Sequence, residues 1–216
     1  MSTTKKLMVM MPVLIISAVY PVMYHFQQFR HASLKRVIAM IVAIALFYVW
    51  MGITVMRRRQ DSFFEGILQA AFFVYVFCVL TLTGYFIFFN EVSAQHWWHK
   101  MVERVTTREG VNLQPLVFTR GYQLFNYEVV GNFIMLFPLG IFLPLLFKSL
   151  RNFFAVTIVA MMASVSIELM QLATNTRITD INDVILNTTG ASLGFIAYAL
   201  MAKMITPRQE RTHTYS

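Results

Sequence analysis

Six long apolar runs constrain the fold of this 216-residue chain more than any other feature of its sequence. A membrane-spanning helix needs about 20 predominantly apolar residues, whereas a spanning strand needs only about 10. The runs are continuous rather than alternating, so they predict helices and not strands. We therefore predict an all-α, polytopic membrane helix bundle with about six transmembrane helices. The runs cover residues 7–24, 37–56, 67–89, 129–147, 153–172 and 184–205.

The charge pattern agrees with a membrane protein. Only 13% of the residues are charged, about half the share in soluble domains. The net charge of +8 comes from short basic clusters between the apolar runs, as in juxtamembrane anchors. We therefore predict membrane lipid, and no nucleic acid, as a partner. Arg57, Arg58 and Arg59 follow directly on the second run, which favours a multi-pass topology with both termini in the cytoplasm.

The long connector of residues 90–128 predicts an amphipathic helix that lies in the membrane interface. Its apolar positions recur at helical spacing, with polar positions opposite them. A helix that docks a partner protein is the alternative. The apolar set is Trp97, Trp98, Met101, Val102 and Val105, and the polar set is His96, His99, Lys100 and Glu103.

The sequence divides into three parts on this interpretation. Residues 1–125 form a three-span region with the long loop, residues 126–205 form a three-span core, and residues 206–216 form a polar tail.

The single Cys78 excludes a disulfide within the chain, and the five histidines lack zinc-site spacing. We predict neither a metal nor a cofactor.

Polar side chains in and around the last three runs are the candidate functional site. A charged residue inside a membrane costs about 2.5–3.5 kcal/mol on insertion scales, so a chain that keeps one there usually uses it. Glu168 is the strongest candidate, both for ligand binding and as a catalytic group. The alternative is that it pairs with Arg177 or Arg120. The predicted ligand-binding residues are Asn132, Glu168, Gln171, Arg177, Asp180, Asp183 and Asn187.

The predicted spans place several of these residues at one depth. Asn132, Glu168 and Asn187 each lie within about one helical turn of a span end, and alternation puts those three ends on the same side of the membrane. The sequence therefore predicts one polar pocket near one surface, the outer one in the favoured topology.

Structural roles compete with these functional ones. Asp180 and Asp183 can cap the sixth helix, and Asn132 and Asn187 can be interhelical hydrogen-bond partners. We assign a helix-packing role to Pro138, Gly140, Gly190 and Gly194. The last two form a G-x-x-x-G motif, which lets helix backbones approach closely and can bring Glu168 and Asn187 together.

Three blocks of this sequence resemble the VanZ-like membrane proteins, a family named for a teicoplanin-resistance protein. They are residues 132–144 (with Asn-Phe-Ile-Met-Leu-Phe-Pro-Leu-Gly), residues 166–171 (Ser-Ile-Glu-Leu-Met-Gln), and the stretch from Arg177 to Gly194. The resemblance covers roughly residues 126–200. Where the family often has two adjacent acids, this chain has Asn182 and Asp183, which departs from a metal-site pattern.

The resemblance implies a bacterial plasma-membrane protein, in some members linked to teicoplanin-type resistance. The favoured hypothesis is a non-enzymatic envelope protein that binds a lipid-linked cell-wall precursor or a lipoglycopeptide. The alternative is an intramembrane enzyme that acts on a polyprenyl-phosphate or similar lipid with Glu168 as general base. A transporter ranks last, because the sequence has no internal repeat.

Overall fold

The computed structural model describes residues 3–25, 34–57, 62–85, 94–115, 127–173 and 178–205. These residues form eight α-helices, one short 3₁₀ helix (Lys148–Leu150) and two strands. The α-helices are α1 (Thr3–His25), α2 (Leu34–Arg57), α3 (Phe63–Leu82), α4 (Ala94–Thr107), α5 (Tyr127–Met135), α6 (Phe137–Leu146), α7 (Phe153–Leu172) and α8 (Ile181–Ile205). The strands are β1 (Val111–Asn112) and β2 (Thr179–Asp180).

The prediction of an all-α membrane helix bundle is confirmed. Within the described ranges, five helical stretches are long and apolar enough to cross a membrane. They are Met40–Arg57, Phe63–Leu82, Tyr127–Leu146, Phe153–Leu172 and Ile181–Met204. The first predicted run, residues 7–24, lies within α1, but α1 is not among these five. The helix predicted in the 90–128 loop forms as α4.

The chain divides into two compact units. Unit one comprises Met1–Asn112 and Ser166–Asp180, and unit two comprises Leu113–Val165 and Ile181–Ser216. Helix α7 therefore contributes its first two thirds to unit two and its last turns to unit one.

In unit one, α1, α2 and α3 pack as an antiparallel series. Lys6 Nζ donates to the carbonyl of Val55 at 3.1 Å, and the Ser17 hydroxyl lies 2.7 Å from that of Tyr48, so α1 and α2 run in opposite directions. Aromatic rings join α2 to α3 through tilted and edge-on contacts that pair Phe47 and Trp50 with Phe72, Phe73 and Phe77. Ser62 begins α3 by accepting the N–H of Glu65 at 3.2 Å.

In unit two, the fourth predicted span is broken into α5 and α6 at Leu136. Pro138 stands in the first turn of α6, a position where its missing N–H costs no helical hydrogen bond. Pro144 lies inside α6, and its carbonyl accepts from Arg151 Nε at 3.2 Å. Pro138, which was assigned to helix packing from the sequence, and Pro144 therefore lie in one interrupted span.

Candidate functional site

Arg104 of α4 organises the polar cluster of unit one. Its Nη1 atom donates to the carbonyls of Gln171 and Leu172, both at 3.0 Å. The last carbonyls of a helix have no partner within the helix and carry partial negative charge. The guanidinium therefore caps the C-terminal end of α7. Burial lowers the pKa of Arg104, but a guanidinium stays cationic at neutral pH.

The same guanidinium holds the turn that follows α4. Nη2 donates to the carbonyl of Gly110 at 2.9 Å, and Nε donates to that of Glu109 at 3.3 Å. Gly110 has φ +65°, and a Cβ at this position would lie 2.5 Å from Arg104 Nη2. Both the backbone conformation and the space thus favour glycine.

This turn places β1 beside β2. The Gly110 carbonyl also accepts the N–H of Thr179 at 2.9 Å, and the two strands pair in parallel, with Asn112 opposite Asp180. Each strand has only two residues and lies in a connecting segment, so the pairing leaves the all-α character of the fold unchanged. Its effect is local, because it fixes the backbone of Asp180.

Glu168 and Asp180 come together at this point. Glu168 Oε2 accepts the backbone N–H of Asp180 at 3.0 Å, and Asn112 Nδ2 donates to Asp180 Oδ2 at 3.0 Å. Glu168 is 6% exposed and Asp180 is 7% exposed. Two nearly buried carboxylates that each accept a hydrogen bond form an acceptor-rich site, which suits a ligand with hydroxyl, amide or ammonium donors.

Gln171 lies one turn after Glu168 on α7 and is also buried. Its backbone carbonyl is held by Arg104, while the Thr179 hydroxyl donates to the Glu168 carbonyl at 3.4 Å. Three of the predicted ligand-binding residues, Glu168, Gln171 and Asp180, therefore belong to one hydrogen-bonded cluster. We call this cluster, with Arg104 and Asn112, the Glu168 cluster.

Unit two holds three other predicted ligand-binding residues. Asn187 of α8 is 1% exposed, and its Nδ2 donates to Ser164 Oγ of α7 at 2.9 Å. Among the described residues, Asn187 Oδ1 has no hydrogen-bond partner. Asn132 and Asp183 are partly exposed. Arg177 and Arg120 lie outside the described residues, and convergence of all the predicted residues in one pocket stays a prediction.

The predicted packing glycines lie where backbones meet in unit two. A Cβ on Gly190 would lie 1.9 Å from the Phe133 carbonyl oxygen, and one on Gly194 would lie 2.1 Å from that of Phe137. A Cβ on Gly140 would lie 1.9 Å from the Ala191 carbonyl oxygen. These contacts join α8 to α5 and α6, so the G-x-x-x-G motif faces the interrupted span. The sequence alone suggested instead that it brings Glu168 to Asn187.

Arg104, Gly110 and Asn112 were not predicted as site residues from the sequence. Arg104 was not recognised because its partners are backbone carbonyls, which leave no sequence signature. One available signal was its position between Met101 and Val105, beside the apolar stripe of α4. Within the described part of the chain, no three His, Cys, Asp or Glu side chains are grouped to hold a metal ion.

Comparison with known proteins identifies one relationship. The family model described as VanZ/LLP1 matches residues 72–202, more than half of the chain. Neither the search of curated proteins nor the search of solved structures found a significant match. The matched residues include α5 to α7, most of α8 and the Arg104 segment.

Proposed function

The chain belongs to the VanZ/LLP1 family, and on this premise we propose that it is a bacterial plasma-membrane protein that binds a lipid-tailed ligand at the Glu168 cluster. The ligand is a lipoglycopeptide such as teicoplanin or a lipid-linked cell-wall precursor. Binding lowers the action of the antibiotic without chemical conversion of the ligand. The Glu168 cluster faces the outer surface in the favoured topology.

The observation that carries this proposal is the nearly buried carboxylate of Glu168, which accepts the backbone N–H of the equally buried Asp180. Burying a carboxylate is costly and the cost is offset by hydrogen bonds or ion pairs, and ionisable groups kept at membrane depth mark functional sites more often than not. Sugar hydroxyls, amide N–H groups and amines donate to such acceptors, and the proposed ligands carry these groups. The two carboxylates of the Glu168 cluster outnumber its one guanidinium, and this net negative charge disfavours recognition through a pyrophosphate.

Glu168→Gln tests the charge with little change of shape. A glutamine oxygen still accepts the N–H of Asp180, so the local backbone keeps its hydrogen bond, while Glu168→Ala removes both the charge and the acceptor. Glu103→Gln is the matched control, because it removes one negative charge from an exposed position on α4. Loss of a hydrogen bond to a charged group predicts about 10- to 150-fold weaker ligand binding.

The measurements are teicoplanin susceptibility of a host that expresses each variant, and direct binding of teicoplanin and of a lipid-linked precursor to purified protein. We expect Glu168→Gln to restore full susceptibility at unchanged membrane levels, and Glu103→Gln to behave as wild type. Unchanged resistance and binding in Glu168→Gln would refute the proposal. A recovered ligand of altered mass would instead support the enzymatic alternative with Glu168 as general base.

A further inference from the structure

An apolar groove of about 720 Å³ lies between α1 and α3 in unit one. Met8 and Pro12 line it from α1, and Phe63, Ala71 and Tyr75 line it from α3. Met8 is 68% exposed and Phe63 is 65% exposed. The stretch Phe63–Leu82 is one of the candidate membrane spans, so the groove opens to the hydrocarbon of the bilayer rather than to water.

The length of the groove matches one leaflet of a membrane. Its lining on α3 runs from Phe63 to Tyr75, which corresponds to about 18 Å at 1.5 Å per residue. Half of the hydrocarbon core is about 15 Å thick. The groove starts at the first residue of α3 and ends near the middle of the span, as an acyl chain of one leaflet does.

Basic side chains lie at the headgroup end of this groove. Lys6 Nζ is bonded to the Val55 carbonyl, which sets the first turns of α1 beside the last turn of α2, where Arg57 is exposed. Lys5 is exposed three residues before Met8. Glu65 supplies one negative charge at the start of α3, so these four groups keep an excess of two positive charges.

We propose that this groove binds one acyl chain of an anionic phospholipid, whose phosphate lies against Lys5, Lys6 and Arg57. Selecting such a lipid requires an apolar surface for the acyl chain and positive charge for the phosphate. The groove provides the apolar surface along its length, and the basic residues provide the charge at one end of it. This site involves no member of the Glu168 cluster, so it does not depend on the function proposed above.

Native mass spectrometry of the full chain tests the charge at the headgroup end. Phosphatidylglycerol and phosphatidylcholine with identical acyl chains are the two probes, and we expect the first to bind more tightly. Each basic residue near an anionic headgroup contributes roughly fivefold in affinity, so Lys5→Gln with Arg57→Gln should weaken phosphatidylglycerol binding roughly 25-fold. Lys148→Gln is the control, since it removes an exposed charge that the favoured topology places on the same membrane side.

Filling the groove tests the acyl-chain site. Ala71→Phe should reduce binding of both probes, because the ring occupies the space of the chain. Cys78→Phe is the control, since Cys78 is exposed two turns further along the same face of α3 and does not line the groove.

A photoactivatable acyl chain on phosphatidylglycerol locates the site in the unmodified protein. We expect crosslinks within residues 8–12 and 63–75. Crosslinks confined to other segments would overturn the proposal, as would equal binding of the two probes in wild type. Loss of binding in Glu168→Gln would show instead that the lipid occupies the Glu168 cluster, which also contradicts it.

Discussion

Replacing Arg104 by Met should loosen the Glu168 cluster while leaving α4 helical. Methionine keeps the apolar stem and a high helix propensity, but it removes all four donations to main-chain carbonyls. Hydrogen bonds from a charged group contribute about 1.5–3 kcal/mol each. The side chain is only partly buried, so water replaces some of these bonds, and we expect a total local loss of about 2–4 kcal/mol.

Hydrogen exchange in lipid nanodiscs measures this loss at two amides. The N–H of Thr179 is bonded to Gly110, and that of Asp180 is bonded to Glu168. Because tenfold in an equilibrium corresponds to about 1.4 kcal/mol, their exchange should accelerate roughly 30- to 900-fold in Arg104→Met. Arg104→Lys keeps the charge but loses the forked geometry of the guanidinium, so its exchange rates should lie between those of Arg104→Met and wild type.

Arg108→Met is the matched control, because Arg108 is exposed one turn further along the chain. We expect wild-type exchange at Thr179 and Asp180 in this variant. Equal exchange rates in Arg104→Met and wild type would refute the idea that the guanidinium holds the cluster together. Equally accelerated exchange in Arg104→Met and Arg108→Met would mean that surface charge, and not the specific contacts of Arg104, protects these two amides.

Two further predictions concern unit two. Gly194→Ala should lower the free energy of unfolding by about 1–3 kcal/mol or more, since its Cβ would meet the Phe137 carbonyl. Gly131→Ala is the control and should leave stability unchanged, because no atom lies within 4 Å of the added Cβ. Equal thermal unfolding of the two variants in detergent would contradict this prediction. Ser164→Ala should destabilise by about 1–3 kcal/mol because it leaves the buried Asn187 amide unpaired. Adding Asn187→Leu should recover most of that loss in a double-mutant cycle, and a further loss would point to another role for the amide.

The helices of this chain follow from hydropathy because a span must satisfy its backbone hydrogen bonds within the protein, and a continuous apolar run of about 20 residues does so as a helix. Predicted ends nevertheless differ from observed ones, as for the run at 67–89, which is α3 at Phe63–Leu82. Its start is set by the Ser62 cap, which apolar counting does not detect. The break at Leu136 interrupts residues 129–147, which apolar counting treats as one span.

The candidate site was predictable in part. Glu168 was predicted because charge is rare in apolar sequence, and Asp180 because it lies in the polar loop that follows; the structure joins them through a main-chain donor. Arg104 was missed because α4 looks like a simple amphipathic helix, and two of the carbonyls that its guanidinium bonds are 67 and 68 residues away. Long-range contacts to backbone atoms can be made by any residue type at the accepting position, so one sequence carries no trace of them.

The distance in sequence between Arg104 and its partners also has a consequence for biosynthesis. Leu172 leaves the ribosome 68 residues after Arg104, which is a delay of roughly 3–14 s at 5–20 residues per second. Asn112 and Asp180 are also 68 residues apart, so their hydrogen bond forms after the same delay. During that interval, the side chains of Arg104 and Asn112 lack these acceptors and are hydrated instead, so a chain that stalls before Leu172 leaves their segment without the contacts that hold it.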